Sequence, residues 1–137
     1  MRHFLFGRTD HLGDCVLILP SIYLVKEIFP DCEISFLCSE YVKDMLKLVP
    51  EIDNIVTYQY LLSLPRDEAV SYIKNLKVDF FLGIIVKTAI LGICRDAKIP
   101  IRITDISLFR FRRFWRIRAH LRQFRRCIMN KRGQVFV

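Results

Sequence analysis

Short apolar runs and longer amphipathic stretches alternate along most of the chain. The runs at residues 3–6 and 78–85 are nearly continuous, and the run at 32–37 alternates apolar with polar side chains, which is typical of buried and half-buried strands. Between such runs, residues 39–48 carry apolar side chains at helical spacing. Strands that alternate with helices over short links predict an α/β fold with a doubly wound, mostly parallel sheet of about five strands.

The predicted elements follow one another in the order strand, helix, strand. Predicted strands occupy residues 3–6, 32–37, 54–58, 78–85 and 99–103, and predicted helices occupy residues 15–25, 39–48, 65–76 and 87–95. The first helix is almost wholly apolar, so we expect it to be buried on more than one side. Pro20 lies inside it, so either the helix is kinked or its regular part begins at Pro20. Ser39 is the expected N-cap of the second helix, and Pro65 is the expected first residue of the third.

Charge divides the chain into two parts. The sequence has 22 Lys and Arg against 14 Asp and Glu, a formal net charge of +8. Residues 106–137 contain ten of the basic residues and no acid, which leaves 12 basic and 14 acidic residues in residues 1–105. We therefore predict a near-neutral domain over residues 1–105, followed by a strongly basic C-terminal tail over residues 106–137.

The composition disfavours several classes of protein. Apolar content is 53%, so wholesale disorder is not expected. Arg8, Asp10 and Asp14 interrupt the N-terminus too early for a secretory signal, and no apolar run approaches the ~20 residues of a membrane span. The five cysteines form no C-x-x-C pair and the three histidines are dispersed. We therefore predict buried thiols in a reducing cytoplasm, no metal site and no cofactor.

The stretch with the most candidate chemistry is residues 7–14, between the first predicted strand and the first predicted helix. It contains two glycines, two acids, a hydroxyl and two potential cations. The glycines are six residues apart, which matches neither G-x-G-x-x-G nor a P-loop. Three interpretations remain: a phosphate cradle with Arg8 as counter-charge, a general base at Asp14, or a structural loop in which Asp14 caps the helix and Asp10 is a turn residue.

One combination of short motifs near the N-terminus is specific. R-T-D-H-L-G-D at residues 8–14 is followed by L-x-L-P-S-I at 17–22, by K-x-x-F-P-D at 26–31 and by I-x-F-L at 34–37. This combination resembles the start of glycosyltransferase family 9, the bacterial ADP-heptose:lipopolysaccharide heptosyltransferases and their relatives. The resemblance continues more weakly to Thr104, which stands where the family usually has a glycine.

The resemblance implies a site and a mechanism. Members of the family have two Rossmann-like domains around a cleft. The N-terminal domain binds the acceptor, a phosphorylated lipid-linked sugar, and the C-terminal domain binds the nucleotide-sugar donor. By motif position Asp14 is the general base for the acceptor hydroxyl, and transfer inverts the anomeric centre without an obligatory metal. Gly13 would let the backbone turn tightly before Asp14, and Arg8 and Thr9 are expected substrate contacts, Arg8 with a phosphate.

Family members are much longer than this chain. The resemblance covers only their N-terminal, acceptor-binding half, and no second set of βαβ signals follows. We therefore expect a truncated or split heptosyltransferase-like protein of lipopolysaccharide core biosynthesis, inactive by itself and dependent on a separate donor-domain chain. Its expected location is the cytoplasm, at the periphery of the inner membrane.

The basic tail predicts a helix of its own. Apolar side chains recur every three or four residues between 114 and 128, with arginines around them. The helix could pack on the sheet with its arginines in solvent, lie on an anionic membrane, or bind nucleic acid, the last being disfavoured because no nucleic-acid motif is present. A non-catalytic binding module is therefore the alternative function. The membrane interpretation assigns lipid contacts to Arg113, Trp115, Arg116 and Arg122.

Overall fold

The structure, a computed structural model, describes residues 1–104, in which strands and helices alternate. The strands are β1 (His3–Gly7), β2 (Glu33–Cys38), β3 (Asn54–Thr57), β4 (Phe80–Gly83) and β5 (Ile101–Thr104). The helices are α1 (Leu12–Val16), α2 (Leu19–Ile28), α3 (Lys43–Leu46), α4 (Tyr58–Ser63), α5 (Arg66–Asn75) and α6 (Thr88–Asp96), with a 3₁₀ helix at Glu40–Val42.

The five strands form one sheet in the order β3-β2-β1-β4-β5, and every pair is parallel. β1 is the central strand. β2 and then β3 lie on one side of it, and the chain then crosses over so that β4 and β5 lie on the other side. Gly7, at the end of β1, is level with Leu37 of β2 and Gly83 of β4. The direction of building reverses between β1 and β4, which confirms the predicted α/β, doubly wound, Rossmann-like architecture.

One face of the sheet is covered by α4, α5 and α6. Leu5, Leu37 and Phe81 from three neighbouring strands form a buried cluster with Ile73 of α5 and Ile90 of α6. Each of these side chains is at most 1% exposed. Burying a side chain of this size contributes about 1.5–3 kcal/mol, so this cluster stabilises the sheet that carries the candidate site.

The opposite face carries an aromatic stack. Phe4 follows the alternation of strand side chains and therefore points away from the Leu5 cluster. Its ring lies between those of Phe29, just after α2, and Phe80 of β4, with centroid separations of 5.6 and 4.7 Å. The two faces together bury both sides of β1, which explains why the N-terminal apolar run is continuous rather than alternating.

The first predicted helix is two helices in the structure. α1 ends at Val16 and α2 begins at Leu19. Pro20 lies in the first turn of α2, where its missing N–H removes no helical hydrogen bond. The expectation of a regular helix beginning at Pro20 is therefore confirmed to within one residue.

The expectation that this segment is buried on more than one side was wrong. Its buried side chains belong to one narrow face, Cys15, Ile18 and Ile22. Leu17 is 75% exposed and Leu24 is 54% exposed, because nothing among residues 1–104 covers the outer side of α1 and α2. A nearly continuous apolar sequence was thus not enough to establish burial on every side.

Residues 39–48 differ from the single predicted helix. They form the short 3₁₀ helix followed by α3. Ser39 has the extended backbone of an N-cap, but its side chain makes no capping hydrogen bond, and its Oγ is buried with no partner among the described residues. Ser39 is only 2% exposed, because it directly follows the buried end of β2.

The sequence did not predict α4. Tyr58 begins this helix instead of ending the strand predicted at residues 54–58, and Leu61 within it is fully buried. Packing of Leu61 onto the sheet outweighs the strand preference of the two tyrosines in the segment. Pro65 has ψ of 146°, so it is the N-cap of α5 and not its first helical residue.

Residues 105–137 lie outside the described part of the chain. The predicted tail helix therefore lies outside the described residues. So do its four candidate residues, Arg113, Trp115, Arg116 and Arg122. Of the helices within residues 1–104, none is both long and apolar enough to cross a membrane.

Candidate functional site

The loop after β1 lies at the carboxyl edge of the sheet, where the strand order reverses. β1 ends at Gly7 and β4 ends at Gly83, and these two glycines are neighbours in the sheet. Ligands of open parallel sheets bind in the crevice outside the carboxyl ends of the strands at such a reversal. The candidate site therefore comprises the β1–α1 loop, residues 8–11, and the β4–α6 loop, residues 84–87.

Gly7 and Gly83 make room for the buried ring of Phe81. A Cβ on Gly7 would lie 3.0 Å from the Phe81 ring and 3.1 Å from Val86, and a Cβ on Gly83 would lie 2.8 Å from the Phe81 ring. We did not predict this packing role from the sequence. The signal that could have revealed it is a glycine at the end of each of two apolar strands.

Thr9 ties the two loops together. Its Oγ1 donates a hydrogen bond to the carbonyl oxygen of Ile85 at 3.1 Å and accepts one from the backbone N–H of Lys87 at 3.2 Å. The Thr9 N–H also donates to the Ile85 carbonyl, at 3.4 Å. The predicted substrate contact Thr9 thus holds together the two sides of the crevice.

Ile85 has a strained backbone. Its φ is 51°, in the left-handed region that β-branched residues rarely adopt. The conformation costs about 1–2 kcal/mol for a residue with a Cβ. Strain of this kind is concentrated at binding and catalytic sites, and here it accompanies the Ile85 carbonyl that accepts from Thr9.

Arg8, Asp10 and Asp14 form one charged cluster. Arg8 donates to the Asp10 carboxylate from Nε at 2.6 Å and from Nη2 at 2.7 Å, and the same Nη2 lies 3.3 Å from Asp14 Oδ1. The side chains of Arg8 and Asp10 are 12% and 19% exposed. One guanidinium therefore faces two carboxylates in a partly buried position.

The electrostatics of the Arg8–Asp10 pair favour the ionised forms of both residues. Burial opposes ionisation of Asp10, but hydrogen bonds from Arg8 and its positive charge outweigh burial and hold the pKa of Asp10 below its usual value. The hydrogen bonds to Asp10 raise the pKa of Arg8, against the effect of burial. The prediction that Asp10 is a turn residue is incomplete, because its carboxylate also fixes the guanidinium of Arg8.

Asp14 lies within α1 as its third residue. The N-cap position belongs to His11, and no side-chain hydrogen bond caps the helix, so the interpretation of Asp14 as the helix cap was wrong. The Asp14 side chain is 35% exposed, against 19% for Asp10. It is therefore the carboxylate of the cluster that solvent reaches more easily, as a general base for an incoming hydroxyl requires.

Gly13 does not make the tight turn that we expected. It is the second residue of α1, its φ is not positive, and an added Cβ would meet no atom within 4 Å. The chain enters α1 through His11, the N-cap residue, whose backbone is extended. Gly13 leaves open space beside Asp14, so a substrate can approach the backbone closely at this position.

Tyr41 and Lys87 complete the described surroundings of the crevice. Tyr41 is 62% exposed, and its hydroxyl donates to the carbonyl oxygen of Asp10 at 3.0 Å. Lys87 is exposed, and its ammonium lies 4.8 Å from the ring centroid of Tyr58. Neither residue was predicted, because each comes from an element distant in sequence from residues 8–14.

The described residues also limit the chemistry of the site. Burial raises the pKa of Cys15, next to Asp14 in the chain, to about 11, so this thiol is protonated at neutral pH and a poor nucleophile. Within residues 1–104, no three His, Cys, Asp or Glu side chains are grouped so that they could hold a metal ion. The carboxylates of Asp10 and Asp14 are side chains of the β1–α1 loop and α1 that could act as a base.

A half-open cavity of about 520 Å³ lies at the opposite, amino-terminal edge of the sheet, beside His3 and Glu33. The His3 ring is buried, with Nδ1 2.6 Å from the carbonyl oxygen of Leu76 and Nε2 2.8 Å from Ser35 Oγ. Both ring nitrogens are therefore engaged in holding strands and helix together. We place the candidate site at the carboxyl edge of the sheet instead, because ligands of open parallel sheets bind outside the carboxyl ends of the strands.

Two solved structures resemble the described domain. E. coli ADP-heptose lipopolysaccharide heptosyltransferase II matches 76% of this chain at 14% identity, with a TM-score of 0.63. Residues 1–104 share the fold of the matched part of that heptosyltransferase. The glycosyl transferase family 9 structure from Veillonella parvula DSM 2008 matches 82% of the chain at 19% identity, also with a TM-score of 0.63. No protein-family model matches the sequence, and no curated protein matches it.

The chain spans about a third of the length of these two structures. The matched part is 30% of the E. coli chain and 34% of the Veillonella chain. The similarity therefore establishes a common fold over a limited part of each glycosyltransferase.

Proposed function

We propose that residues 1–104 form the acceptor-binding side of an inverting, heptosyltransferase-like glycosyltransferase of lipopolysaccharide core biosynthesis. The observation that carries the proposal is the position of Asp14. Its carboxylate is 35% exposed at the carboxyl edge of a sheet with a glycosyltransferase fold, 3.3 Å from Arg8 Nη2. The acceptor is a phosphorylated, lipid-linked sugar.

In the proposed reaction Asp14 accepts the proton of an acceptor hydroxyl. The hydroxyl oxygen forms the new bond to the anomeric carbon of a nucleotide sugar. The bond from that carbon to the nucleoside diphosphate breaks, and the diphosphate leaves with the electron pair, so the anomeric centre is inverted. General-base catalysis of this kind contributes ~10²–10⁴-fold, and alignment of the two substrates supplies much of the remaining acceleration.

The neighbours of Asp14 have separate proposed roles. Arg8, anchored by two hydrogen bonds to Asp10, holds the Asp14 carboxylate in place through the 3.3 Å contact. Thr9 joins the two loops that border the acceptor. Gly13 leaves its backbone accessible beside Asp14, where the acceptor ring would lie.

The donor requires residues from another domain. The matched region is about a third of each glycosyltransferase chain, and the described residues form one sheet with one reversal point. We propose that a donor-binding domain outside the described residues binds the nucleotide sugar and that residues 1–104 are inactive without it. The complex would act in the cytoplasm, at the inner membrane.

A transfer assay tests this proposal. Labelled nucleotide-heptose and a phosphorylated lipid-sugar acceptor are incubated with the purified chain, with and without a donor-binding domain. We expect turnover only in the complex, and a loss of ~10²–10⁴-fold in Asp14→Asn. Asp31→Asn, an exposed acid beyond α2, is the matched control and retains activity. Turnover by the chain alone would refute the need for a second domain, and full activity in Asp14→Asn would refute its role as base.

A further inference from the structure

We propose that Lys87, and not Arg8, binds the phosphate group of the acceptor. This inference rests on the proposed function and names a further substrate-binding residue for it. Lys87 belongs to the β4–α6 loop, on the other side of the crevice from Asp14, and its sequence neighbourhood carries no motif that would have suggested the role.

The positive charge of Arg8 is already paired with carboxylates of the protein. Its guanidinium makes two hydrogen bonds to Asp10, lies 3.3 Å from Asp14 and is only 12% exposed. With two carboxylates around one cation, this cluster has an excess of negative charge. A phosphate placed directly on it would be repelled, so the anion must be bound elsewhere in the crevice.

Lys87 has a charge that is available. It is exposed, and no carboxylate of residues 1–104 lies within ion-pair distance of its ammonium. The ammonium lies 4.8 Å from the ring centroid of Tyr58, and this cation–π contact limits the positions that the flexible side chain samples. A lysine that is held but not neutralised is suited to bind a phosphate as a point charge.

The backbone of Lys87 is fixed relative to the catalytic loop. Its N–H donates to Thr9 Oγ1 at 3.2 Å, and Thr9 is next to Arg8, whose Nη2 contacts Asp14. Thr9 therefore links the residue that binds phosphate to the loop that holds the base. A phosphorylated sugar carries both a hydroxyl and a phosphate, so one acceptor can contact both loops of the crevice.

A titration followed by amide NMR of the full chain tests this inference. Glucose 6-phosphate is the probe, and glucose and inorganic phosphate are titrated separately. We expect glucose 6-phosphate, but not glucose, to shift the amide resonances of Thr9 and Lys87. Observing individual amides separates this site from the ten basic residues of the tail. Lys87-dependent binding of inorganic phosphate alone would also support the inference and would attribute the affinity to the anion.

Variants of Lys87 test whether its charge binds the phosphate. We expect Lys87→Ala to weaken the apparent affinity at these amides by about tenfold or more, and Lys87→Arg to retain most of it. Lys74→Ala, an exposed lysine of α5, should bind like the wild type. Unchanged affinity in Lys87→Ala, or no shift at either amide in the wild type, would overturn the inference.

The same variants separate this inference from the proposed function. Asp14→Asn is expected to retain the Lys87-dependent amide shifts with glucose 6-phosphate while losing transfer in the complex. Lys87→Ala is expected to retain the base and to raise the acceptor concentration needed for half-maximal transfer. Normal phosphate binding by Lys87→Ala, with Asp14-dependent transfer, would overturn the role of Lys87 and leave the proposed function standing.

Discussion

The Arg8 guanidinium donates two hydrogen bonds to the Asp10 carboxylate, at 2.6 and 2.7 Å, two residues along the same loop. This bidentate pair closes the β1–α1 loop on itself and leaves Asp14 as the more exposed acid of the cluster. Because the pair is partly buried, loss of one partner is costly, since it leaves the other charge unpaired in a poorly solvated position.

Removing the Asp10 charge should destabilise the domain. Asp10→Asn leaves the partly buried Arg8 with weaker hydrogen bonds, and we expect a loss of about 1.5–3 kcal/mol in the free energy of unfolding. Denaturant unfolding monitored by circular dichroism measures this loss. Asp31→Asn, at an exposed acid that makes no side-chain hydrogen bond or ion pair within residues 1–104, should change the free energy by less than about 0.5 kcal/mol. Equal effects of the two variants would contradict a structural role for the Arg8–Asp10 pair.

The same pair predicts a pH dependence of stability. The pKa of Asp10 is lower in the folded protein than its usual value, so the folded state favours the ionised carboxylate. Its contribution is complete above the unfolded-state pKa and disappears as the pH falls through the folded-state pKa. The difference in unfolding free energy between wild type and Asp10→Asn should therefore shrink on acidification below about pH 4. A difference that is constant from pH 7 to pH 3 would rule out this origin.

The glycines of the site should respond differently to alanine. In Gly83→Ala the new Cβ meets the Phe81 ring at 2.8 Å, and in Gly7→Ala at 3.0 Å, so we expect losses of about 1–3 kcal/mol from overpacking. Gly13→Ala meets nothing within 4 Å in a helix and should be neutral or slightly stabilising. Thermal unfolding of the three variants provides the comparison, and a Gly13→Ala loss as large as that of Gly83→Ala would contradict it.

Relieving the strain at Ile85 should stabilise the protein. Glycine adopts φ of 51° without the penalty of a Cβ, so Ile85→Gly is expected to raise the unfolding free energy by about 1 kcal/mol. Ile84→Gly, at the neighbouring position with no positive φ, is the control and should destabilise. If both substitutions destabilise equally, the strain at Ile85 has no energetic consequence.

The basic residues of the tail allow a test of the proposal that the protein acts at the inner membrane. Replacing three arginines by glutamine, at Arg113, Arg116 and Arg122, should weaken binding to anionic vesicles by about 3 kcal/mol, because each basic residue near the surface contributes about 1 kcal/mol. Trp115→Ala should weaken binding by removing an interfacial anchor. Co-sedimentation with anionic and with neutral vesicles measures both effects. Binding that is equal on the two kinds of vesicle would contradict the proposal, and binding unaffected by any of these substitutions would do so as well.

The order of strands and helices followed from the sequence by itself. The apolar runs at 3–6, 32–37 and 54–58 each correspond to a strand within one or two residues, because a strand or helix is encoded by the spacing of neighbouring side chains. The sequence also predicts residues 7–14 as the candidate chemical site, since its charges and glycines are contiguous, and that assignment stays a prediction. The sequence did not predict features that depend on packing: α4 was missed, and one side of α2 is exposed where we expected burial.

The tertiary structure alone decided which residues meet in the crevice. Thr9 makes a hydrogen bond to Ile85, which is 76 residues away in the sequence, and Tyr41 makes one to Asp10, which is 31 residues away. These contacts exist because parallel strands bring their carboxyl ends to one edge, and no spacing within a single segment encodes that arrangement. The partner of Arg8 was likewise decided by geometry, because an arginine in a loop is equally compatible with a substrate phosphate and with the carboxylates that the fold places beside it.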